Sequence, residues 1–592
     1  MRRKHLVLAG WIVAAALLSV GCGKSAPDPT GLDNPGHVSV ATTTPLPTLP
    51  ISDINYTNAE IRGGEPIFSV RDAFHEKALE VSLTSSLPNG EIYYTLNGHE
   101  PMMDGQATRY YAPLILDPTT GDYPTAYVIK ARTFYADGTV SPTAVHTYFV
   151  SEGIHRRFES ASEHFTIVSL VGENADFLGG PGGILYRENY NSRGDASERP
   201  AHIEFFGADG ELLASQFGGV RVYGAYSRRN PVKSLKLFAR KSYDPNQGRF
   251  RSDFFGTVNS LGNPVASYDK LVLRSYGNDW QFAFLRDELN QRLLAAAGFP
   301  FYEAVVPAVV YLNGRFYNFV WMHESYCDAY FKQRVPSETL KGEFVVIGGT
   351  EQKKSYDTDL NDIKECDEFN ALYERFLGSN LADDAVFNEL CRVIDVYNYL
   401  DYYAANIYVC NYDWPHNNYK VFRYYPDETG ALGDGLYDGR WRFLPHDMDY
   451  CYDIYGNQEC SVATDCLAAV TTPGKRYAPL FTALLKRRDC REYFIRKILR
   501  LADGAFSYGS VCAEIDRMTA EQGTEISRYI DAMQHEYNSD SYTKGSIWTS
   551  TGYVDGSLAT IRAFAEARKA NILLHLENAF DLPEAQLLQI AK

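Results

Sequence analysis

No C-x-x-C pair occurs in this chain of 592 residues, which excludes a zinc ribbon or a thioredoxin-like redox site. Ten cysteines are present, nine of them from Cys327 onward. Their spacing does not require disulfides, and buried free thiols are the expectation for most. An excess of positive charge is also missing: 57 Lys and Arg stand against 74 Asp and Glu, a formal net charge of −17. That balance excludes nucleic acid and an anionic membrane surface as the main partner. It also opposes an anionic substrate unless a basic site outweighs it locally. The N-terminal apolar run Leu6–Val20 is too short for a comfortable membrane span, and no internal repeat is evident.

Apolar residues make up 45% and charged residues 22%, so the chain is globular, with length enough for two or more domains. Arg2, Arg3 and Lys4 precede the apolar run, and Gly21-Cys22 follow it. This reads as an export signal over residues 1–22. Ser19-Val20-Gly21-Cys22 is similar to a bacterial lipoprotein box, in which Cys22 carries the lipid; an ordinary signal peptide is the other reading. The expected location is the bacterial membrane or cell surface, held by a lipid anchor only. Residues 23–60, rich in Pro, Thr, Gly and Asp, read as a flexible linker.

Residues 61–150 read as a small all-β, Ig-like sandwich. Strand-like runs (Leu79–Leu83, Glu91–Leu96, Tyr127–Phe134, Val145–Val150) alternate with Asn-Gly and Asp-Gly turns. From His155 the pattern becomes mixed. Strands are expected at Phe165–Val171, Ile203–Phe206, Gly219–Tyr223 and Val232–Phe238, and a hairpin at Val305–Leu312 and Phe316–His323. A basic turn with Arg228 precedes Lys233 and Lys236, which period two places on opposite faces; either one is a candidate for phosphate. A helix over 281–297 carries Asp287 and Glu288, candidates to pair with the strand lysine. Glu324 ends the hairpin. A long helix over 386–410 and further helices after Gly456 complete the chain. Few apolar residues lie in Ser151–Arg157, so residues 155–592 are expected to fold without 1–150.

The stretch Asp401–Tyr455 organises the rest. A helix breaks into the polar loop NYDWPHNN (411–418); two strand-like runs, Tyr419–Tyr425 and Arg440–Leu444, then deliver His446-Asp447-Met448-Asp449. Asp413 and Asn418 stand as D-x-x-x-x-N, the spacing of a protein-kinase catalytic loop, and Asp447 sits where a kinase presents its second metal-binding Asp. Asn and Asp supply hard oxygens suited to Mg²⁺ or Mn²⁺. Two readings of another class stay open: a non-catalytic cell-surface binding or adhesion scaffold, and a metal-dependent hydrolase built on His416, His446, Asp447 and Asp449.

Two resemblances bear on these readings. GEIYYTLNGHEP (90–101), RYYAPLIL (109–116) and VIKARTFYADGTVSPTAVHTYFV (128–150) resemble the chitobiase/β-hexosaminidase C-terminal-type module, which implies an accessory domain; Tyr110 and Tyr111 are its candidates for glycan contact. GVRVYGAYSRRNPVKSLKLFAR (219–240), LRSYGNDWQFAFLRDEL (273–289), VYLNGRFYNFVWMHE (310–324), NYDWPHNNYKVFRY (411–424) and WRFLPHDMD (441–449) resemble the spore-coat-protein-H (CotH) family of atypical protein kinases. The second resemblance implies an α+β, two-lobed kinase-like domain over 155–582, with 155–330 as the N-lobe part and 331–592 as the C-lobe with a helical extension. It further implies transfer of phosphate from ATP, with Mg²⁺ or Mn²⁺, to Ser or Thr of an envelope or secreted protein. Asp413 is then the catalytic Asp, and Asn418 and Asp447 the metal ligands. Asp449 is a second-metal or supporting group or a helix N-cap. Lys233 or Lys236, Arg228, Glu288 and Glu324 are the nucleotide contacts.

The leader gives the first testable expectation. The protein should fractionate with membranes, and Cys22→Ala should release it; soluble behaviour of the parent protein would point to an ordinary signal peptide.

Overall fold

The computed structural model describes residues 37–41, 54, 56, 58–159, 161–349, 354–355, 363–532 and 549–592. The leader with Cys22 and most of the expected linker lie outside the described residues. One piece of that linker does not: Val38–Val40 is a strand, paired antiparallel with Leu114–Leu116. Three regions follow one another: an all-β N-terminal part, a mixed α/β middle and a helical C-terminal part.

The N-terminal part is a sandwich. A three-stranded sheet (Val38–Val40, Leu114–Leu116, Leu79–Val81) faces a five-stranded one, ordered Phe74–His75, Ala144–Val150, Tyr127–Tyr135, Gly90–Thr95, Thr108–Arg109. Alternating side chains meet between them: Val81, Ile92, Leu114, Leu116, Ile129, Tyr148 and Val150 are buried together. Tyr110 packs against this core, while Tyr111 is exposed.

The middle begins with a closed seven-stranded barrel. Thr166–Val171, Arg199–Gly207, Leu212–Tyr223, Ser234–Phe238, Lys270–Arg274, Arg315–Glu324 and Val305–Leu312 pair in that order. The last pairs parallel with the first, Thr166 opposite Ala308, and leaves no open edge. One face of each strand fills the barrel with Val168, Leu170, Leu235, Leu237, Leu271, Leu273, Val310 and Met322. The other face, with Ile167, Val309, Phe319 and Trp321, joins the core shared with the helices. Burial on both faces explains why these strands read as nearly continuous apolar runs. A second sheet, Gly342–Gly349 with Tyr419–Pro426 and Arg442–Leu444, adjoins the helices.

Two expectations change. The helix expected over 386–410 is two helices, Asp384–Val393 and Val396–Val409. Asp395 breaks it: its carboxylate accepts the Asn398 N–H as an N-cap, and Ile394 bridges to Trp441. The junction expected to be polar and open is filled. Ile154, Phe158, Phe74 and Phe149 belong to the same buried cluster as the barrel's outer face. His146 and Thr147 of the sandwich both bond the carboxylate of Glu204, which is fully buried in the barrel wall. Ala126 N–H donates to Gly314 C=O at the barrel hairpin, and Tyr123 stacks on Phe316 with ring centroids 3.6 Å apart. Among the described residues no helix is long and apolar enough to cross a membrane.

The sandwich is therefore expected to be required for stability. Residues 155–592 alone would lose the cover of Phe74 and Phe149 over Ile154, Phe158 and the barrel's outer face, so the truncated chain should be aggregation-prone or molten. In the full chain His146→Ala should cost roughly 3 kcal/mol, the scale for leaving a buried charge unpaired, read by urea unfolding. Unchanged stability of both would show that the interface carries little.

Candidate active site

The site starts at the end of the Val396–Val409 helix. Cys410 terminates it in the left-handed conformation, φ +58°. The last carbonyls are capped from far along the chain: Arg568 donates to Tyr408 O at 2.7 Å and Ile407 O at 2.8 Å. A cation at this end also suits the helix dipole. The loop that follows is pinned in the same way. Arg476 donates to Asn411 O at 2.7 Å and Trp414 O at 2.9 Å, and buried Trp414 donates to the Tyr402 hydroxyl at 2.7 Å.

Held there, Asp413 accepts hydrogen bonds from Asn417 Nδ2 at 2.7 Å and Asn418 Nδ2 at 3.3 Å. Asn418, at φ +53°, turns the chain into the strand Tyr419–Pro426. The strand Arg442–Leu444 pairs with it and leads to Asp447, at φ +54°. Non-glycine residues with positive φ are uncommon, and their concentration here marks a turn fixed by its surroundings. Met448 N–H donates to Asp287 Oδ1 at 2.8 Å, and Asn290 Nδ2 donates to Met448 O at 2.9 Å. The Arg286–Ala296 helix thus holds the turn from behind.

These pieces form one cleft of about 650 Å³. Asp413, Asn418, Asp447 and Asp449 line it, as do Lys420, Arg193, Arg228, Arg274 and Asn278. Burial raises the Asp413 carboxyl above its ordinary range, and the nearby Asp447 carboxylate adds to the effect. Asp449, wholly buried, is raised strongly by burial and then by Asp447, with Arg274 opposing. Crowded carboxylates of this kind favour positive charge in the space between them.

The expected nucleotide contacts are distributed differently. Lys233 and Lys236 do not line the cleft. Lys233 lies just before its strand, donates to Asn230 O and sits over the Tyr190 ring at 4.3 Å. Burial without a carboxylate lowers its amine to about 8. Lys236 lies over the Tyr223 ring, on the outward side of its strand with Ser234 and Phe238. Arg228 reaches the cleft, but its guanidinium donates to Gly224 O, Tyr190 O and Ser192 O. Glu288 pairs with His323 at 2.9 Å and lies 3.8 Å from Arg274, not with either lysine. Glu324 is away from the cleft, buried against Arg334. Asp449 starts no helix; its oxygens accept from Arg274 at 2.9 Å and from Asn278 N–H and Nδ2 at 2.8 Å each.

Of the two histidines, His446 lines the cleft with Asp447 and Asp449 and pairs with Glu303 at 3.1 Å, while His416 does not line it and lies 3.4 Å from Asp413 Oδ1.

The sequence reading missed several cleft residues, among them Arg274 and Lys420, with Arg193, Asn278 and Asn417. Arg274 ends the strand KLVLR and is buried between four carboxylates. Its Nη2 lies 2.5 Å from Asp447 Oδ1 and 2.9 Å from Asp449 Oδ2, and its Nε lies 3.3 Å from Asp287 Oδ2 and 3.8 Å from Glu288 Oε1. An Arg within an apolar strand was the available signal, since a buried guanidinium requires partners. Lys420 follows Asn418 by two positions, between the buried Tyr419 and Val421. Strand alternation could have aimed it at the loop's side of the sheet.

Comparison with protein families fits this geometry. A family model described as CotH kinase protein matches residues 220–572, more than half of the chain and the span that contains every residue of the cleft except Arg193. A model described as Fn3 associated matches residues 81–148, within the sandwich. No curated protein matches the chain. The order of motifs from Gly219 to Asp449, the cleft they build and the extent of the match lead to one assignment: this chain belongs to the CotH kinase family.

Proposed function

We propose that this protein is an atypical serine/threonine protein kinase that acts outside the cytoplasm. It transfers the γ-phosphoryl group of ATP to a hydroxyl of an envelope or secreted protein and is held at the membrane by a lipid on Cys22. The barrel and the Arg286–Ala296 helix take the part of a kinase N-lobe, and the second sheet with the C-terminal helices takes that of the C-lobe. The observation that carries the reading is the shared cleft: Asp413, Asn418 and Asp447, apart in sequence, line it together with Arg193 and Lys420.

The donors fit a divalent ion. They are hard oxygens, and the Asp447 carboxylate adds to the burial that raises the carboxyl of Asp413. Asn418 and Asp447 would hold Mg²⁺ or Mn²⁺, which when bound neutralises phosphate charge. Asp413, oriented by Asn417, takes the proton of the acceptor hydroxyl as its oxygen bonds to phosphorus and ADP leaves. Lys420 and Arg193 face the phosphates. Asp449 positions Asn278 and Arg274 and is not a ligand in this reading. Glycan contact through Tyr111 of the sandwich is a further proposal and needs no part of the cleft.

One observation favours a second reading. Arg274 already bridges Asp447 and Asp449, so a cation of the protein itself partly satisfies the acidic wall. A scaffold that binds a partner without nucleotide would have the same feature. Incubating full-length protein with labelled ATP and each divalent metal separates the two: a kinase binds nucleotide only with metal, and a scaffold binds neither.

Two variant pairs test the roles. Asp413→Asn should keep ATP and metal affinity within a few fold, yet slow transfer by about 10²-fold, roughly 2.7 kcal/mol lost in the transition state. Asp447→Asn should weaken metal-dependent ATP binding as well as transfer. Calorimetry beside a phosphorylation assay reads both, and parent-like behaviour of both variants would refute the reading. Among the lysines, Lys420→Ala should weaken ATP binding at least several-fold, whereas Lys236→Ala should leave it nearly unchanged. The reverse order would move the phosphate site to the barrel's outer face.

A further inference from the structure

Two cysteines meet directly behind the cleft. Cys410, which ends the helix leading into the Asp413 loop, and Cys466, which begins the helix Cys466–Thr471, are both fully buried. Their sulfurs lie 2.6 Å apart, closer than unbonded sulfur atoms rest. Arg476 joins the pair to the loop: both of its terminal nitrogens are 3.8 Å from Cys466 Sγ, while the same side chain donates to Asn411 O and Trp414 O. By contrast, Cys451 donates to Met448 O and Cys327 to Asp269.

We infer that Cys410 and Cys466 form a disulfide that staples the Asp413 loop to the helix Cys466–Thr471. The reaction is an exchange with a disulfide oxidant such as oxidised glutathione. Cys466, as thiolate, attacks one oxidant sulfur and releases the first thiol. Cys410 then gives up its proton, displaces the second thiol and closes the protein disulfide. Two protons and two electrons pass from the protein thiols to the oxidant, which ends as two thiols. As the helix docks, contact with Cys410, aided by Arg476 and Arg568, lowers the Cys466 thiol and makes it the attacking sulfur. Burial and the same contact hold the Cys410 thiol well above its usual range. The folded chain closes both sulfurs to solvent, so the exchange occurs while the Cys466 helix docks. Once formed, the bond ties two segments separated by 56 positions and restricts the unfolded chain.

The test uses full-length protein prepared without reductant, unfolded in iodoacetamide and digested. The expected product is a linked pair of peptides containing Cys410 and Cys466, two hydrogens lighter than their sum and separable by reduction. If both cysteines are recovered alkylated, even after refolding of the protein in a glutathione redox buffer, the inference is overturned. Melting curves give an independent reading that requires no enzymatic activity. Cys410→Ser, Cys466→Ser and the double variant should each melt several degrees lower, the double no lower than the singles. Unfolding and refolding in dithiothreitol should bring the parent protein down to the same value and leave the variants unmoved. Additive losses, or a parent unaffected by reductant, would also overturn it.

Discussion

Arg274 ties the barrel, the helix behind the site and the turn at the cleft to one another. Its guanidinium is buried and touches carboxylates from two other segments: Asp287 and Glu288 on the helix behind the site, and Asp447 and Asp449 on the turn at the cleft. Those carboxylates would repel one another and resist burial if the cation were absent. A lysine could not replace it well, because a single ammonium cannot face four acids in two directions as a planar fork does. The chain around it is shaped accordingly. Gly277 has φ +59°, and a Cβ there would lie 2.0 Å from Asp449 Oδ2, so only glycine lets Asn278 close over that carboxylate. The barrel, the helix and the site turn thus meet at one charge.

Much of this was legible along the chain because it rests on local pattern. Alternation marked Val305–Leu312 and its partner strand, and the Asn-rich loop followed by a hairpin located Asp413, Asn418 and Asp447, which do converge. What escaped was the partnership of charged groups across long distances. Glu288 on its helix and Glu324 at the end of the hairpin were read as nucleotide contacts, and neither lines the cleft. Their cations, Arg274 and Arg334, are set by packing between neighbouring elements, as is the closure of the barrel. That closure is a parallel pairing of Thr166–Val171 with Val305–Leu312, and it leaves no local signature. Lys233 and Lys236 failed for a different reason. Period two is reliable inside a strand, but Lys233 precedes it, and the ring of Tyr190 together with the Asn230 carbonyl determines where its amine rests.

The sandwich shows the same limit at the level of domains. Its composition changes sharply at the boundary, which suggests a separate bead. The boundary nevertheless hides Glu204, an acid of the barrel wall whose partners His146 and Thr147 belong to the sandwich. A polar group placed on a strand face reads as solvent-facing until a neighbouring domain covers it.

The two arginines that hold the Asp413 loop set an order of assembly. Arg476 and Arg568 reach back 65 and 160 positions to carbonyls at Asn411 and Tyr408. A chain that emerges N-terminus first makes the loop long before it makes these cations. Through that interval the end of the Val396–Val409 helix has bare carbonyls, and the loop has only its own side chains to shape it. The barrel can close beforehand, since its last strand ends at Glu324. The cleft is therefore completed late, after the segments that will frame it, and a nascent chain passes most of its synthesis without a finished site.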